Sequence, residues 1–138
     1  MKKYEILMDE KNTIEFEGHT LHRIKALRDF EDIKTDDLGG YVENENNLSH
    51  EGNCWIYDDA KAMDYSVISD NSRMYNDSSM YGNSAMYDNS EMYDYSTMYD
   101  NSEMHHNSRM HDNTKMYDNS TLYNNSAMFG NSEMHDND

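Results

Sequence analysis

Proline does not occur among the 138 residues, and cysteine and tryptophan occur once each. Without proline there is no stiff polyproline linker to hold domains apart. A single cysteine, Cys54, permits no internal disulfide and no cysteine-based metal set. Basic residues are also few: 11 against 28 acidic ones, a net charge of -17. That balance argues against direct nucleic-acid or membrane-surface binding. The opening Met1-Lys2-Lys3-Tyr4-Glu5 lacks the apolar run that secretion requires, and no stretch has the length of a membrane span. Mean hydropathy is -1.14, which would ordinarily point to disorder.

What the chain has instead is one phrase repeated. From Ile56 onward it reads in sixes, as in Met86-Tyr87-Asp88-Asn89-Ser90-Glu91, and the frame never slips. Position 1 runs Ile56, Ala62, Ile68, then mostly Met to Met134, and all fourteen are apolar. Position 2 is aromatic or His at twelve of fourteen places, and position 4 is Asn at ten. Position 5 begins at Ala60, is Ser or Thr from Ser66 to Ser132, and ends at Asp138.

A helix turns about 100° per residue, so apolar residues six apart would scatter around it. A strand alternates every two residues, so positions 5 and 1 can both point inward while positions 6 and 2 point out. Positions 3 and 4 must then turn a corner. Asn at position 4, with Asp or Gly at position 3, suits the left-handed backbone of such a corner. Each hexad is thus one short strand and one bend, and the bends wind a solenoid whose coils stack as parallel strands. A solenoid needs only one apolar residue per hexad, which reconciles order with so polar a chain.

Phrases such as Met80-Tyr81-Gly82-Asn83-Ser84-Ala85 resemble the hexapeptide repeat of left-handed β-helix proteins. The resemblance implies a triangular coil of three hexads, with Met in place of the usual aliphatic residue. The expected fold class is all-β: a left-handed triangular parallel β-helix of hexapeptide repeats with a small N-terminal β cap. The left hand is implied by the resemblance alone.

The cap is expected at 1–41 and the β-helix at 42–138. Tyr4–Met8 reads as a strand, Asp9–Asn12 as a turn, Thr13–Phe16 as a second strand and Thr20–Leu27 as a third. Such a cap would cover the open coil edge. The frame can be run back to His50, placing Cys54 inward and Trp55 beneath the cap, with Gly39-Gly40 as a hinge. Ala26-Leu27-Arg28-Asp29-Phe30, Asp36-Asp37-Leu38-Gly39-Gly40-Tyr41-Val42-Glu43 and Gly52-Asn53-Cys54-Trp55 resemble the head of an uncharacterised family of bacteria and phages. Its members carry labels such as transferase or polymer-forming protein. That resemblance implies a phage or prophage origin, and the lack of a secretion signal, a membrane span and a disulfide sets the expectation of the cytoplasm of a bacterial host.

Hexapeptide-repeat enzymes are mostly acyltransferases, and the resemblance implies a catalytic His, a loop projecting from the coil and a site between subunits of a trimer. Here His105, His106, His111 and His135 lie in the repeats, but no insertion interrupts the hexads to build a substrate pocket. A metal reading of His105, His106 and His111 finds no carboxylate at ligand spacing. The expectation is therefore a protein that is not an enzyme and takes no cofactor or metal.

The outer surface directs that expectation. With eighteen residues per coil, position 2 stacks Tyr81-Tyr99-Tyr117-His135 on one face. Position 3 stacks Asp70-Asp88, Asp94-Asp112 and Asp100-Asp118-Asp136 on the three edges. Carboxylates roughly 5 Å apart repel by about 1 kcal/mol in water, so such columns make a strong negative field. The expected function is an acidic, phage-encoded inhibitor and nucleic-acid mimic. Asp88, Asp94, Asp100, Asp112, Asp118 and Asp136, with Tyr81, Tyr99 and Tyr117, would meet the basic nucleic-acid-binding surface of a host nuclease, restriction or CRISPR protein. The alternatives are a self-associating scaffold, possible as a homo-oligomer, and a hexapeptide-repeat acyltransferase.

Overall fold

The computed structural model describes residues 2–136, so Asp138 and its expected inward place lie outside the described residues. Each hexad supplies a two-residue strand at positions 6 and 1, from Trp55–Ile56 to Glu133–Met134. Strands eighteen residues apart pair in parallel. Ala85 and Met86 lie beside Glu103 and Met104, while Glu91 and Met92 lie beside Arg109 and Met110. Thr97 and Met98 lie beside Lys115 and Met116. Three hexads therefore close one coil, and the coils stack into three parallel sheets, one per face. The chain is an all-β solenoid of hexapeptide repeats.

Position 1 fills the axis. Met74, Met80, Met86, Met92, Met98, Met104, Met110 and Met116 are fully buried. Burying each thioether side chain is worth about 1.5–3 kcal/mol, and its flexibility lets it fit between the residues one coil above and below. Position 5 is buried from Ala60 to Ser120 and polar from Ser66 on, and every hydroxyl in that run except that of Ser108 is satisfied locally. Ser84 Oγ donates to the Tyr81 carbonyl at 2.9 Å, Ser90 Oγ to Tyr87 at 3.0 Å and Thr114 Oγ1 to His111 at 2.8 Å. The small inward residue thus ties down the corner that precedes it.

The corner itself differs from the expectation at one point. All fourteen position-3 residues, from Asp58 to Asp136, hold positive φ between 55° and 68°. Among the described residues no position-4 residue does. Position 3 is therefore the left-handed residue and Asn at position 4 is not. Where position 3 is Asp or Asn and a coil follows, its side chain also bonds that next coil. The carboxylate there accepts the backbone N–H of the residue one coil further on, as Asp70 Oδ2 does from Asp88 at 2.9 Å.

The cap is antiparallel. Strand β1 (Tyr4–Ile6) and strand β2 (Thr13–Phe16) both pair with β3 (His19–Ala26). The expected turn before β2 is a short 3-10 turn at Glu10–Asn12. The β2–β3 hairpin closes at Glu17 and Gly18, both at positive φ, as a tight two-residue hairpin loop requires. Strand β4 (Leu38–Val42) pairs antiparallel with β3 and parallel with Lys61–Ala62, so one sheet runs from the cap into a solenoid face.

Gly39 and Gly40 lie within β4, buried, and are not a hinge. A Cβ on Gly39 would stand 2.7 Å from Ile24 Cγ1 and 2.8 Å from Trp55 Cζ2. Glycine is needed there because the cap is pressed against the first coil. Trp55 is buried as expected, edge-on to Phe30 at 5.3 Å and to Tyr4 at 6.3 Å. Beside it Lys3 is fully buried and donates to the Cys54 carbonyl at 2.6 Å. Cys54 takes the buried inward place expected of it.

Candidate functional site

The position-2 side chains form the expected outer columns, but as closed stacks. Tyr81 and Tyr99 lie 5.0 Å apart at 2°, Tyr99 and Tyr117 5.2 Å apart at 6°, and Tyr117 continues to His135 at 5.3 Å. A second column runs Tyr57, Tyr75, Tyr93, His111 and Phe129, and a third runs Tyr87, His105 and Tyr123. Ring faces within a column cover one another, so Tyr99 has little face left for a partner to stack on. Its hydroxyl edge remains. Several phenols are hydrogen-bonded to carboxylates: Tyr87 Oη to Glu103 at 2.8 Å, Tyr93 Oη to Glu91 at 2.7 Å and Tyr117 Oη to Glu133 at 3.0 Å. Burial, then the Glu103 bond, pushes the Tyr87 phenol up to about 12. The Glu133 bond leads in pushing Tyr117 up to about 12. These phenols stay neutral donors.

The aspartates stand where the eighteen-residue coil places them, on three separate edges. They are more than a row of repelling charges. Asp112 donates its N–H to Asp94 Oδ2 at 2.8 Å, Asp118 to Asp100 Oδ2 at 3.0 Å and Asp136 to Asp118 Oδ2 at 2.9 Å. Each bond gives a carboxylate an oriented partner and pins one coil to the next. Asp100, Asp118 and Asp136, with Gly82, Asn83, Asn101 and Asn119, line a shallow polar groove of about 670 Å³. Asp88 lines a second edge groove with Asp70 and His106. The nine residues expected to meet a partner are thus divided among different edges and faces.

The cap junction brings together three residues that the repeat frame does not single out. His19 opens β3, Glu43 follows β4, and Asp64 is the position-3 corner residue of its hexad. His19 Nδ1 lies 3.1 Å from Glu43 Oε2 and 3.6 Å from Asp64 Oδ1. Glu43 Oε1 also accepts the Asp64 N–H at 2.6 Å, and Asp64 Oδ2 the Gly82 N–H at 3.0 Å. The two carboxylates are therefore held in place before the imidazole meets them. The Glu43 bond leads in raising the His19 imidazole above its ordinary value, and the charge of Asp64 adds to it. With Nδ1–H directed to Glu43, Nε2 is the nitrogen that can take a proton.

His19 is paired across the hairpin with Phe16, which puts both on one face of it. That face covers a second small core of Leu21, Tyr41 and Met63. Next to it lies a groove of about 400 Å³ lined by Phe16, Glu17, Lys61, Asp77, Tyr81 and Tyr95 among others. Lys61 Nζ sits 4.9 Å over the Phe16 ring. Tyr81 is the one expected partner residue that lines this groove. The missed signal was short: His19 beside the Glu17-Gly18 turn, and Glu43 directly after β4.

Among the described residues, three clusters place His or carboxylate donor atoms close enough to share a metal ion: His19 with Glu43 and Asp64, Asp88 with His105 and His106, and Asp118 with His135 and Asp136. The carboxylate missing at ligand spacing in the sequence comes from the coil below. His111 joins none of these clusters and is stacked between Tyr93 and Phe129 at 4.7 and 4.9 Å. No helix among the described residues is long and apolar enough to cross a membrane.

No protein-family model matches the chain. Over 80 residues it is 38% identical to a protein of Escherichia coli (strain K12) named uncharacterized acetyltransferase YdcK. The match covers 54% of this chain and 24% of the relative, so the chain spans about a quarter of that protein's length. It corrects the expectation that the chain is not an enzyme, because the similar protein carries the name of a transferase. That expectation rested on the uninterrupted hexads from residue 56 onward. It overlooked the cap junction, where a histidine is paired with a carboxylate beside a groove.

Proposed function

We propose that this hexapeptide-repeat β-helix transfers an acyl group, with His19 as the general base and Glu43 as the residue that positions it. The observation that carries the reading is the 38% identity over 80 residues to a protein named as an acetyltransferase. The cap-junction geometry supports it. An acceptor hydroxyl or amine must lose a proton as it attacks the acyl carbonyl, and a neutral imidazole with one nitrogen held by a carboxylate is suited to receive it. Asp64 adds a second negative charge behind the imidazolium that forms. The neighbouring groove offers the Phe16 ring, the Lys61 ammonium and the Tyr81 hydroxyl to orient a substrate.

The test is thiol release from acetyl-coenzyme A over a panel of amine and hydroxyl acceptors. A general base contributes about 10²–10⁴-fold. His19→Ala should lose activity on that scale, and Glu43→Gln should lose less while keeping the acceptor for Nδ1–H. The base works only when neutral, so activity should rise with pH through the raised His19 value. No release with any acceptor, or equal rates for His19→Ala and the parent, would sink the reading.

A second reading keeps the acidic edge as a docking surface for a basic protein. What supports it is the groove of Asp100, Asp118 and Asp136 together with the net charge of -17. Such binding would weaken steeply with salt. Neither the geometry nor the relative favours a host-defence target, and the phage-like head is only a resemblance, so the transferase reading takes precedence.

A further inference from the structure

We propose that Asp88, His105 and His106 form a binding site for a divalent transition-metal ion of the zinc, cobalt or nickel type. It lies on a solenoid edge, and no residue of the cap-junction site takes part in it.

One corner of the solenoid is unlike the rest. His106 occupies position 3 at φ 62°. Every other hexad from Ile56 on puts Asp, Asn or Gly at that left-handed place, the residues that tolerate it. A histidine costs more there, and it supplies no side-chain bond to the coil beyond, where Asp or Asn elsewhere makes a rung. The hydroxyl of Ser108, which should tie down this same corner, is buried without a partner. The corner gives up two local bonds that its neighbours keep. An outlier of this kind is a place to look for function.

The donor atoms converge there. His105 Nδ1 and His106 Nδ1 are 2.6 Å apart, and His106 Nδ1 is 3.8 Å from Asp88 Oδ2. All three ligand atoms lie within 4.8 Å of one another. Two ring nitrogens this close leave room for at most one hydrogen between them, so nitrogen lone pairs and a carboxylate are aimed at one small volume.

Two of the ligands are held before any ion arrives. His105 is stacked between Tyr87 at 5.4 Å and Tyr123 at 5.7 Å. Asp88 Oδ2 accepts the His106 N–H at 2.9 Å. The His106 side chain is 56% exposed, so a small rotation of its ring can open the two nitrogens to the spacing of ligands about 2.0–2.1 Å from an ion. Two imidazoles and one carboxylate are the donor set of borderline metals, whereas calcium and magnesium take oxygen. Three protein ligands leave coordination positions open to solvent, and the net charge of -17 raises the local concentration of cations.

The test is calorimetric titration of the metal-stripped chain with Zn²⁺ and with Co²⁺, the latter also followed by its visible absorption. His19→Ala and His135→Ala are first combined to remove the other two clusters. This background should still bind one ion per chain, and saturating Zn²⁺ should raise its melting temperature. His105→Tyr restores the residue of the surrounding ladder, and His106→Asn restores a corner residue used at Asn76 and Asn124. Each should keep the fold by circular dichroism and weaken Zn²⁺ binding by an order of magnitude or more. A background that binds no ion, or unchanged affinity in the folded His105→Tyr/His106→Asn double variant, would overturn the site. Thiol release does not enter these readouts, so the transferase reading stands or falls separately.

Discussion

Asn76 Oδ1 accepts the backbone N–H of Asp94 at 3.0 Å, in the same way that Asp100 Oδ2 accepts that of Asp118 at 3.0 Å. The rung between coils therefore needs an oxygen two bonds from Cβ and does not need a charge. Asp100→Asn should leave stability within about 0.5 kcal/mol of the parent. Asp100→Ala should cost about 1 kcal/mol for the lost rung and a further 1–2 kcal/mol for alanine at positive φ. Asp100→Gly should fall between them. Denaturant unfolding of the three variants checks the order, and a stable Ala variant would remove the rung from the account.

Ser90 and Ser108 are both buried, but only Ser90 Oγ has an acceptor, the Tyr87 carbonyl at 3.0 Å. Ser90→Ala should destabilise the protein by about 1 kcal/mol. Ser108→Ala should be neutral or slightly stabilising, since it removes a buried hydroxyl that bonds to nothing. Equal melting-temperature losses for the two would show that the corner bond has no energetic weight.

Met98 is fully buried on the axis, whereas its neighbour Tyr99 lies in an outer column between Tyr81 and Tyr117. Met98→Ala should cost about 2–5 kcal/mol, and Met98→Asp should prevent folding by burying an unpaired carboxylate. Tyr99→Asp removes two ring contacts, each worth about 0.5–1.5 kcal/mol, and should still fold. Circular dichroism during thermal melting separates these outcomes.

Two histidines should tilt the pH dependence of stability in opposite directions. The Glu43 bond raises His19 above its ordinary 6.5, so its contribution is complete below about that pH. It is lost as pH rises through the raised value. Burial lowers His50, which stacks on Tyr4 at 4.1 Å and accepts the Lys3 N–H at Nδ1. Charging it costs stability as pH falls from 6.5 through its lowered value. His19→Gln should flatten the profile above 6.5, and His50→Gln should flatten it below. Unfolding measured across that range decides whether both slopes are assigned correctly.

The repeat made the coil legible, because an inward Met and an inward Ser two residues apart fit only a strand with a corner after it. The columns needed the eighteen-residue coil that the family resemblance implied, which fixes which Tyr lies over which. The corner was read across positions 3 and 4, and the structure gives the left-handed backbone to position 3 alone among the described residues. Gly39 and Gly40 suggested a hinge because nothing in the sequence says that Trp55 and Ile56 press against them. The His19–Glu43 pair left only a short trace, a His beside the Glu17-Gly18 turn and a Glu directly after β4. It joins two non-repeating segments, and its partners are set by the β3–β4 pairing and its bulge near Arg23. Likewise Asp88 meets His105 and His106 only through the stacking of coils.

The three-faced coil has a consequence for how such a chain can change. Inserting eighteen residues adds a storey and leaves every later side chain above its old neighbour. Inserting six keeps each Met on the axis and each Ser at its corner, yet carries everything downstream to the next face. The interior is blind to that change, while the exterior is dealt a new set of vertical neighbours. Gain or loss of one hexad therefore acts on this rod as a dial, turning one part of its surface against the other by a third of a revolution.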